Sequence, residues 1–182
     1  MVGIIIIGFI VLVVLWLISA YNQLVSLRIK VKEGFSTIDV FLKKRYDLIP
    51  NLVETVKGYA KHEKDTLNQV VEARGKALSS SPEDKSKYEG ELSNALSKLL
   101  MISENYPDLK ADTQFVNLQN QLQQIESEIE KSRRYYNGLV RELNTNIQKV
   151  PTCIVASMFK FKEEPFFELE NKSERENIKV QF

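Results

Sequence analysis

Histidine and cysteine, two side chains that often bind metals or act in catalysis, are scarce in this sequence. It holds one histidine, His62, and one cysteine, Cys153. His62 is followed by Glu63, as in the zinc-protease motif, but Thr66 stands where that motif requires its second histidine. A single histidine excludes a multi-histidine zinc site, and a lone cysteine excludes an internal disulfide. We therefore interpret Cys153 as a small buried side chain.

Four acidic residues, Asp39, Asp47, Glu54 and Glu63, recur along one stretch like a ladder of helical carboxylates. Di-metal helical bundles combine inward-facing glutamates with Glu-x-x-His pairs. The only histidine here has a tyrosine three residues before it, so no such pair exists. Lysines and arginines lie at helical spacing from these acids and are their expected partners. The sequence therefore predicts no catalytic residue, no metal site and no cofactor.

A second polar group, Asp39, Arg45, Asp47 and Asn51, lies on or beside an apolar helical seam. An unpaired charge in such a position costs several kcal/mol. One interpretation is that these side chains pair across a helical bundle and fix the register of its helices. The other is that they form a contact surface for another copy of the protein or for another membrane protein.

The element that must position the rest of the chain is its beginning, because residues 1–27 contain no charged side chain. A helix rises ~1.5 Å per residue, so ~20 apolar residues cross a bilayer core of ~30 Å. We predict that residues 1–22 form a transmembrane anchor. Its large apolar side chains are Ile4, Ile5, Ile6, Ile7, Phe9, Leu12, Leu15, Trp16 and Leu17.

Two alternatives to an anchor fit this segment less well. A signal peptide has a basic region before its apolar run and a small-residue cleavage site. Here nothing basic precedes the run, and Ile18-Ser19-Ala20 is a weak cleavage candidate. A core helix would show one polar face, and this run has none.

Basic residues follow the apolar run directly, at Arg28, Lys30 and Lys32, whereas none precedes it. The positive-inside rule then predicts a cytoplasmic body, although a large C-terminal domain can translocate despite a few flanking charges. These cations either attract anionic lipids, at ~1 kcal/mol each, or form a solvated face. The sequence has 25 basic and 24 acidic residues, and this near balance gives no argument for nucleic-acid binding.

Apolar residues step by threes and fours from Leu27 onward, which predicts long helices packed through narrow seams. The first seam continues to Val71. At Pro50 we expect a kink; the alternative is a new helix with Asp47 as its N-cap. Ser79 to Asp84 predicts a helix stop.

A second helix is expected to end near Asn105, and a third to run from Asp112 for more than thirty residues. Thr152 to Lys162 could add a short amphipathic helix. The predicted fold is all-α: a single N-terminal transmembrane helix followed by an antiparallel up-and-down bundle of long helices. The predicted domains are the anchor (1–22), the bundle (23–162) and an acidic tail packing on or near it (163–182).

Several of these motifs together resemble the LemA family. They are Ile38 to Glu63 with its Lys43-Lys44-Arg45-Tyr46-Asp47-Leu48-Ile49-Pro50-Asn51-Leu52 core, Tyr106-Pro107-Asp108-Leu109-Lys110-Ala111, the series Phe115, Leu118, Leu122 and Glu126, Tyr136-Asn137, and Phe166-Phe167-Glu168. The resemblance covers almost the whole chain. It implies a single-pass protein of the bacterial inner membrane with a helical body, in a family without an assigned reactive group.

The expected function is that of a membrane-anchored scaffold or adaptor without catalytic activity. Its expected partners are membrane lipids, further copies of itself and another membrane protein, and not nucleic acid. Two alternatives remain. One is a regulatory accessory subunit of another membrane complex, such as a protease or an envelope-stress system. The other is an enzyme with an unrecognised site.

Overall fold

The computed structural model describes residues 1–81 and 84–168. No strand occurs among these described residues, and the predicted all-α fold class, with a long apolar N-terminal helix and a helical body, is confirmed. The elements are α1 (Val2–Tyr59), α2 (Lys64–Ser79), α3 (Lys85–Ile102), a 3-10 turn (Ser103–Asn105), α4 (Pro107–Ala111), α5 (Thr113–Gln148) and α6 (Thr152–Met158).

The first helix, α1, runs through Pro50 without interruption. Proline cannot donate a hydrogen bond to the carbonyl one helical turn earlier, which here belongs to Tyr46. Nε of Arg74 on α2 donates to that carbonyl at 2.8 Å instead. Because this donor satisfies the orphaned acceptor, the helix continues. The alternative of a break with Asp47 as N-cap is therefore wrong.

The prediction of one seam continuing to Val71 in a single helix is also wrong, because the chain reverses between Tyr59 and Lys64. Within this turn the Glu63 N–H donates to the Ala60 carbonyl at 3.2 Å. Regular apolar spacing continues after the turn because α2 has a row of buried apolar residues of its own. Val70 belongs to this row, whereas Val71 is exposed. A heptad pattern does not distinguish one long helix from a hairpin of two.

Two predicted helix boundaries are confirmed. α2 ends at Ser79, and the hydroxyl of Ser81 accepts a hydrogen bond from the Asp84 N–H at 3.2 Å just before α3. Pro82, which falls within this predicted stop, lies outside the described residues, and α3 begins at Lys85. α5 begins after Asp112, whose Oδ1 accepts from the Phe115 N–H at 2.7 Å, as an N-cap carboxylate does.

The chain forms two compact units, and α1 and α5 contribute to both. In the second unit (residues 40–129 with 167 and 168), Arg45 on α1 contacts Glu126 on α5, and Tyr59 contacts Asp112. As residue numbers increase along α1, the residues that they contact on α5 have decreasing numbers, so these two segments are antiparallel. α2 and α3 lie between them in the chain, pack against each other, and complete an up-down-up-down arrangement.

In the first unit (residues 1–39 and 130–166), α1 packs against the C-terminal part of α5. The rings of Phe35 and Tyr136 lie 5.7 Å apart. The chain after α6 has no regular secondary structure up to residue 168. It returns along α5, where Asn144 Nδ2 donates to the Glu164 carbonyl and the Tyr136 hydroxyl donates to the Pro165 carbonyl, both at 2.9 Å. Of the predicted acidic tail (163–182), residues 169–182 lie outside the described residues.

Candidate functional site

The apolar start of α1 is exposed along its length up to Ser19, and Ala20 is the first buried residue. All the large side chains predicted to form the anchor are exposed except Leu17, which is half-buried. An apolar window of eighteen residues in this helix has 0% of its residues buried. A core helix would bury such a window. By length and composition, α1 is the one helix in the described chain that could cross a membrane.

The membrane-proximal basic residues Arg28, Lys30 and Lys32 are all exposed. The Arg28 guanidinium lies 5.1 Å from the centroid of the Phe161 ring, in a cation–π arrangement. Their ammonium and guanidinium groups are accessible to solvent or to a charged surface.

The most deeply buried charge belongs to Arg45, whose side chain is 1% exposed. Its Nη1 donates to Glu126 Oε1 at 2.6 Å and to the Ser93 hydroxyl at 3.0 Å, and its Nη2 donates to Glu89. Glu89 is 2% exposed, whereas Glu126 is 37% exposed. These contacts connect α1 to α3 and α5 within the second unit.

Glu89 is engaged through both of its carboxylate oxygens. Oε2 accepts from Arg45, and Oε1 accepts from the Tyr46 hydroxyl. Because both of its oxygens accept hydrogen bonds from protein groups, this carboxylate is placed to stabilise the fold rather than to act as a general base on a substrate. The geometry therefore favours a structural ion pair, of the kind that becomes costly when one member is removed.

The other members of the predicted polar group are less buried than Arg45. Asp47 and Asn51 are exposed, and Asp39 is half-buried. Sequence reasoning missed Glu89. The available signal was its position in the stripe of Leu92, Leu96 and Leu99, because a charge at a seam position is expected to find a buried partner.

A second polar contact joins the end of α1 to the start of α5. The Tyr59 hydroxyl donates to Asp112 Oδ2 at 2.9 Å. The Phe115 N–H, and then this hydroxyl, lower the pKa of the Asp112 carboxyl, while the same hydrogen bond raises the pKa of Tyr59. Nearby, the Tyr106 hydroxyl donates to Glu63 at 3.3 Å, and desolvation raises the pKa of Tyr106.

An open groove of about 890 Å³ lies between the end of α1 and the start of α2. Its floor includes Val53 and Leu67, and its walls carry Lys57, Lys61 and Lys64. Lys57 pairs with Glu54 at 3.1 Å. The groove is therefore basic. None of the residues that line it is a buried polar side chain.

The residues considered for metal or nucleophilic chemistry do not converge. His62 is exposed in the turn after α1, and Cys153 is half-buried on α6. Across residues 1–81 and 84–168, no three histidine, cysteine or acidic side chains come together as metal ligands would.

These features define an all-α protein whose N-terminal helix is compatible with a membrane anchor. The chain belongs to the LemA family, whose model matches residues 34–182. It is 26% identical over 138 residues to Protein LemA of Metamycoplasma hominis, covering 74% of this chain and 63% of that protein. It is 24% identical over 179 residues to the magnetosome proteins MamQ 1 and MamQ 2 of Paramagnetospirillum magneticum, covering 84% of this chain and 66% of each. The chain thus spans less than two thirds of the length of these relatives.

Proposed function

We propose that this protein is a single-pass scaffold or adaptor of the bacterial inner membrane, which acts by binding further copies of itself or another membrane protein. The observation that carries the proposal is the uncharged, exposed start of α1, which continues as one helix into a packed body. Exposed apolar side chains over this length are stable in hydrocarbon and strongly unfavourable in water. The similarity to two magnetosome proteins supports a role at membranes.

The body acts without catalysis in this proposal. Support comes from the buried network, in which Glu89 accepts hydrogen bonds from both Arg45 and the Tyr46 hydroxyl. In this proposal the body provides a helical surface for binding partners and does not provide a catalytic site. The exposed polar residues of the family motif, Asp47 and Asn51, are the residues left available for contacts with partners.

The body is cytoplasmic in this proposal. The support is the asymmetry of charge, with Arg28, Lys30 and Lys32 exposed after the span and no basic side chain before it. This places the membrane-proximal cations beside the anionic inner leaflet, where each is favoured by ~1 kcal/mol.

Fractionation of cells tests the anchor. The full-length protein should remain in the membrane pellet after alkaline carbonate extraction and leave it only with detergent.

For topology, a Met101→Cys variant made with Cys153→Ala carries one exposed thiol in the body. A membrane-impermeant maleimide should label it in permeabilised cells but not in intact ones; labelling in intact cells would contradict the cytoplasmic assignment.

Mass measurement of the full-length protein in lipid nanodiscs and in mild detergent tests self-assembly. We expect particles larger than one chain. A strict monomer at every concentration, with no protein recovered by crosslinking in native membranes, would contradict the scaffold. Turnover of a substrate by the purified body would contradict the absence of catalysis.

A further inference from the structure

The short helix α6 leaves an apolar face uncovered. Its residues Val155 and Ala156 are buried. On other sides, Ile154 is 57% exposed, Met158 60%, and Phe159, the next residue, 52%. Val150, which lies just before α6 begins, is 75% exposed. Side chains four apart lie on the same side of a helix, so Ile154 and Met158 form one contiguous apolar face.

This face lies beside the end of the apolar segment of α1, within the same compact unit. The Tyr21 ring is 4.6 Å from the ring of Phe159 and 5.9 Å from that of Phe161. Tyr21 directly follows Ala20, the first buried residue of α1. Tyrosine favours the headgroup region at the end of a membrane span. The contact therefore holds the α6 face at the depth where the span leaves the hydrocarbon.

The charge around this face is positive. Residues 149–162 contain Lys149, Lys160 and Lys162 and no acidic residue. Glu163 and Glu164 follow, and Glu163 Oε1 accepts a hydrogen bond from Gln148 Nε2 at 2.8 Å. The three lysines are exposed. Arg28, whose guanidinium contacts the Phe161 ring, extends the basic group onto α1. An apolar face flanked by cations is the composition of helices that lie in the interface of an anionic bilayer.

We propose that the α6 face, defined as Ile154 and Met158 together with the exposed flanking residues Val150 and Phe159, inserts into the headgroup region of the leaflet that the span exits, with the flanking lysines binding anionic phospholipid. The occupant is lipid because the face continues the surface of the span and carries charge complementary to anionic headgroups. The proposal rests on the membrane anchoring proposed above. It adds a second membrane contact, which fixes the first unit on the bilayer surface.

Depth measurements on the full-length protein, reconstituted into vesicles of phosphatidylcholine with phosphatidylglycerol, test this contact. In a Cys153→Ala background, Met158→Cys carries an environment-sensitive fluorophore. Met101→Cys is the matched control, because Met101 is also an exposed methionine, but in the second unit. Met158 is not part of the buried core, and circular dichroism before reconstitution confirms that each labelled variant is folded.

We expect the label at position 158 to shift its emission to the blue and to be quenched by lipids spin-labelled near the headgroup. This quenching should be several-fold stronger than at position 101. Trp16, the single tryptophan, reports the anchor independently through quenching by lipids brominated on their acyl chains. Replacing Lys160 and Lys162 by glutamine should reduce the quenching at position 158 in vesicles with phosphatidylglycerol and leave quenching of Trp16 unchanged.

Three results would overturn the inference, and they are distinct. If Trp16 is quenched but the two label positions behave alike, the anchor stands and the α6 contact is wrong. If the label at position 158 is shielded from water but not quenched by headgroup spin labels, protein covers the face instead of lipid. If the lysine replacements change nothing, the basic group does not bind anionic lipid. Absence of Trp16 quenching would instead refute the anchor itself.

Discussion

The hydrogen bond from Arg74 to the Tyr46 carbonyl gives a prediction that depends on Pro50. Replacing Arg74 by methionine keeps the alkyl stem but removes the donor that lies 2.8 Å from the carbonyl. Pro50 supplies no N–H to replace it, so a partly buried acceptor loses its partner. Leaving such a group unsatisfied costs about 1–3 kcal/mol. We expect Arg74→Met to lower the free energy of unfolding by about 1–2 kcal/mol.

The same substitution should cost much less when Pro50 is first replaced by alanine. The new backbone N–H at position 50 then donates to the Tyr46 carbonyl along the helix. We expect a coupling of about 1 kcal/mol or more between the two sites in a double-mutant cycle. The measurement is urea unfolding of the full-length protein in mild detergent, followed by far-ultraviolet circular dichroism.

Lys76→Met is the matched control, since Lys76 is also a basic residue of α2, but its exposed side chain pairs with Glu72 one turn away. Its effect should stay within about 0.5 kcal/mol. Effects of Arg74→Met and Pro50→Ala that add within about 0.3–0.5 kcal/mol would refute the substitute-donor explanation. The continuity of α1 would then need another cause.

Three further predictions concern the buried network, the anchor and the α5 cap. Glu89→Leu removes the buried partner of Arg45 and should lower the free energy of unfolding by about 3–5 kcal/mol, measured by the same urea titration. Leu12→Arg places a charge in the middle of the apolar run, at a cost of about 2.5–3.5 kcal/mol, and should reduce the carbonate-resistant fraction. Asp112→Asn should be destabilising at neutral pH. Because the folded state lowers the pKa of Asp112, that difference is present above the unfolded pKa and shrinks as the pH falls through the folded one.

Each of these has a result that would contradict it. An effect of Glu89→Leu no larger than that of the surface substitution Glu54→Gln would show that Arg45 does not depend on Glu89. Full carbonate resistance of Leu12→Arg would show that membrane retention does not depend on this segment being uncharged, while Leu12→Ala serves as the uncharged control. A pH-independent difference for Asp112→Asn would show that ionisation of the cap does not contribute to stability.

The sequence predicted the helices wherever apolar spacing and cap residues agreed. α5 is the clearest case, because Asp112 supplies a cap and the chain then runs to Gln148 without a proline. The turn before Lys64 escaped prediction because no proline or glycine interrupts Ala60 to Glu63. Gly58, one residue before the end of α1, was the available signal. The passage of α1 through Pro50 depends on a side chain from another helix, and local sequence carries no sign of such a donor.

The same limit applies to the candidate site. Seam position alone indicated that Arg45 would be buried and would need partners. The identity of Glu89 depends on the register between α1 and α3, which is set only when several stripes pack together. The anchor needed no tertiary information, since its prediction rests on length, hydropathy and the absence of charge.

The short distance between the exposed segment and the first buried residue has a consequence for the cell. Ala20 is packed one residue after the exposed apolar run ends, and α1 has no linker there. Because no linker separates the apolar segment from the folded unit, the segment cannot shift along the membrane normal independently of that unit. A bilayer thicker or thinner than the apolar run must therefore be met by tilting the whole first unit or by deforming the lipid around it, at fractions of a kcal/mol per Å of mismatch. In the proposed membrane-anchored state, membrane thickness would therefore sort this protein among regions of different lipid composition.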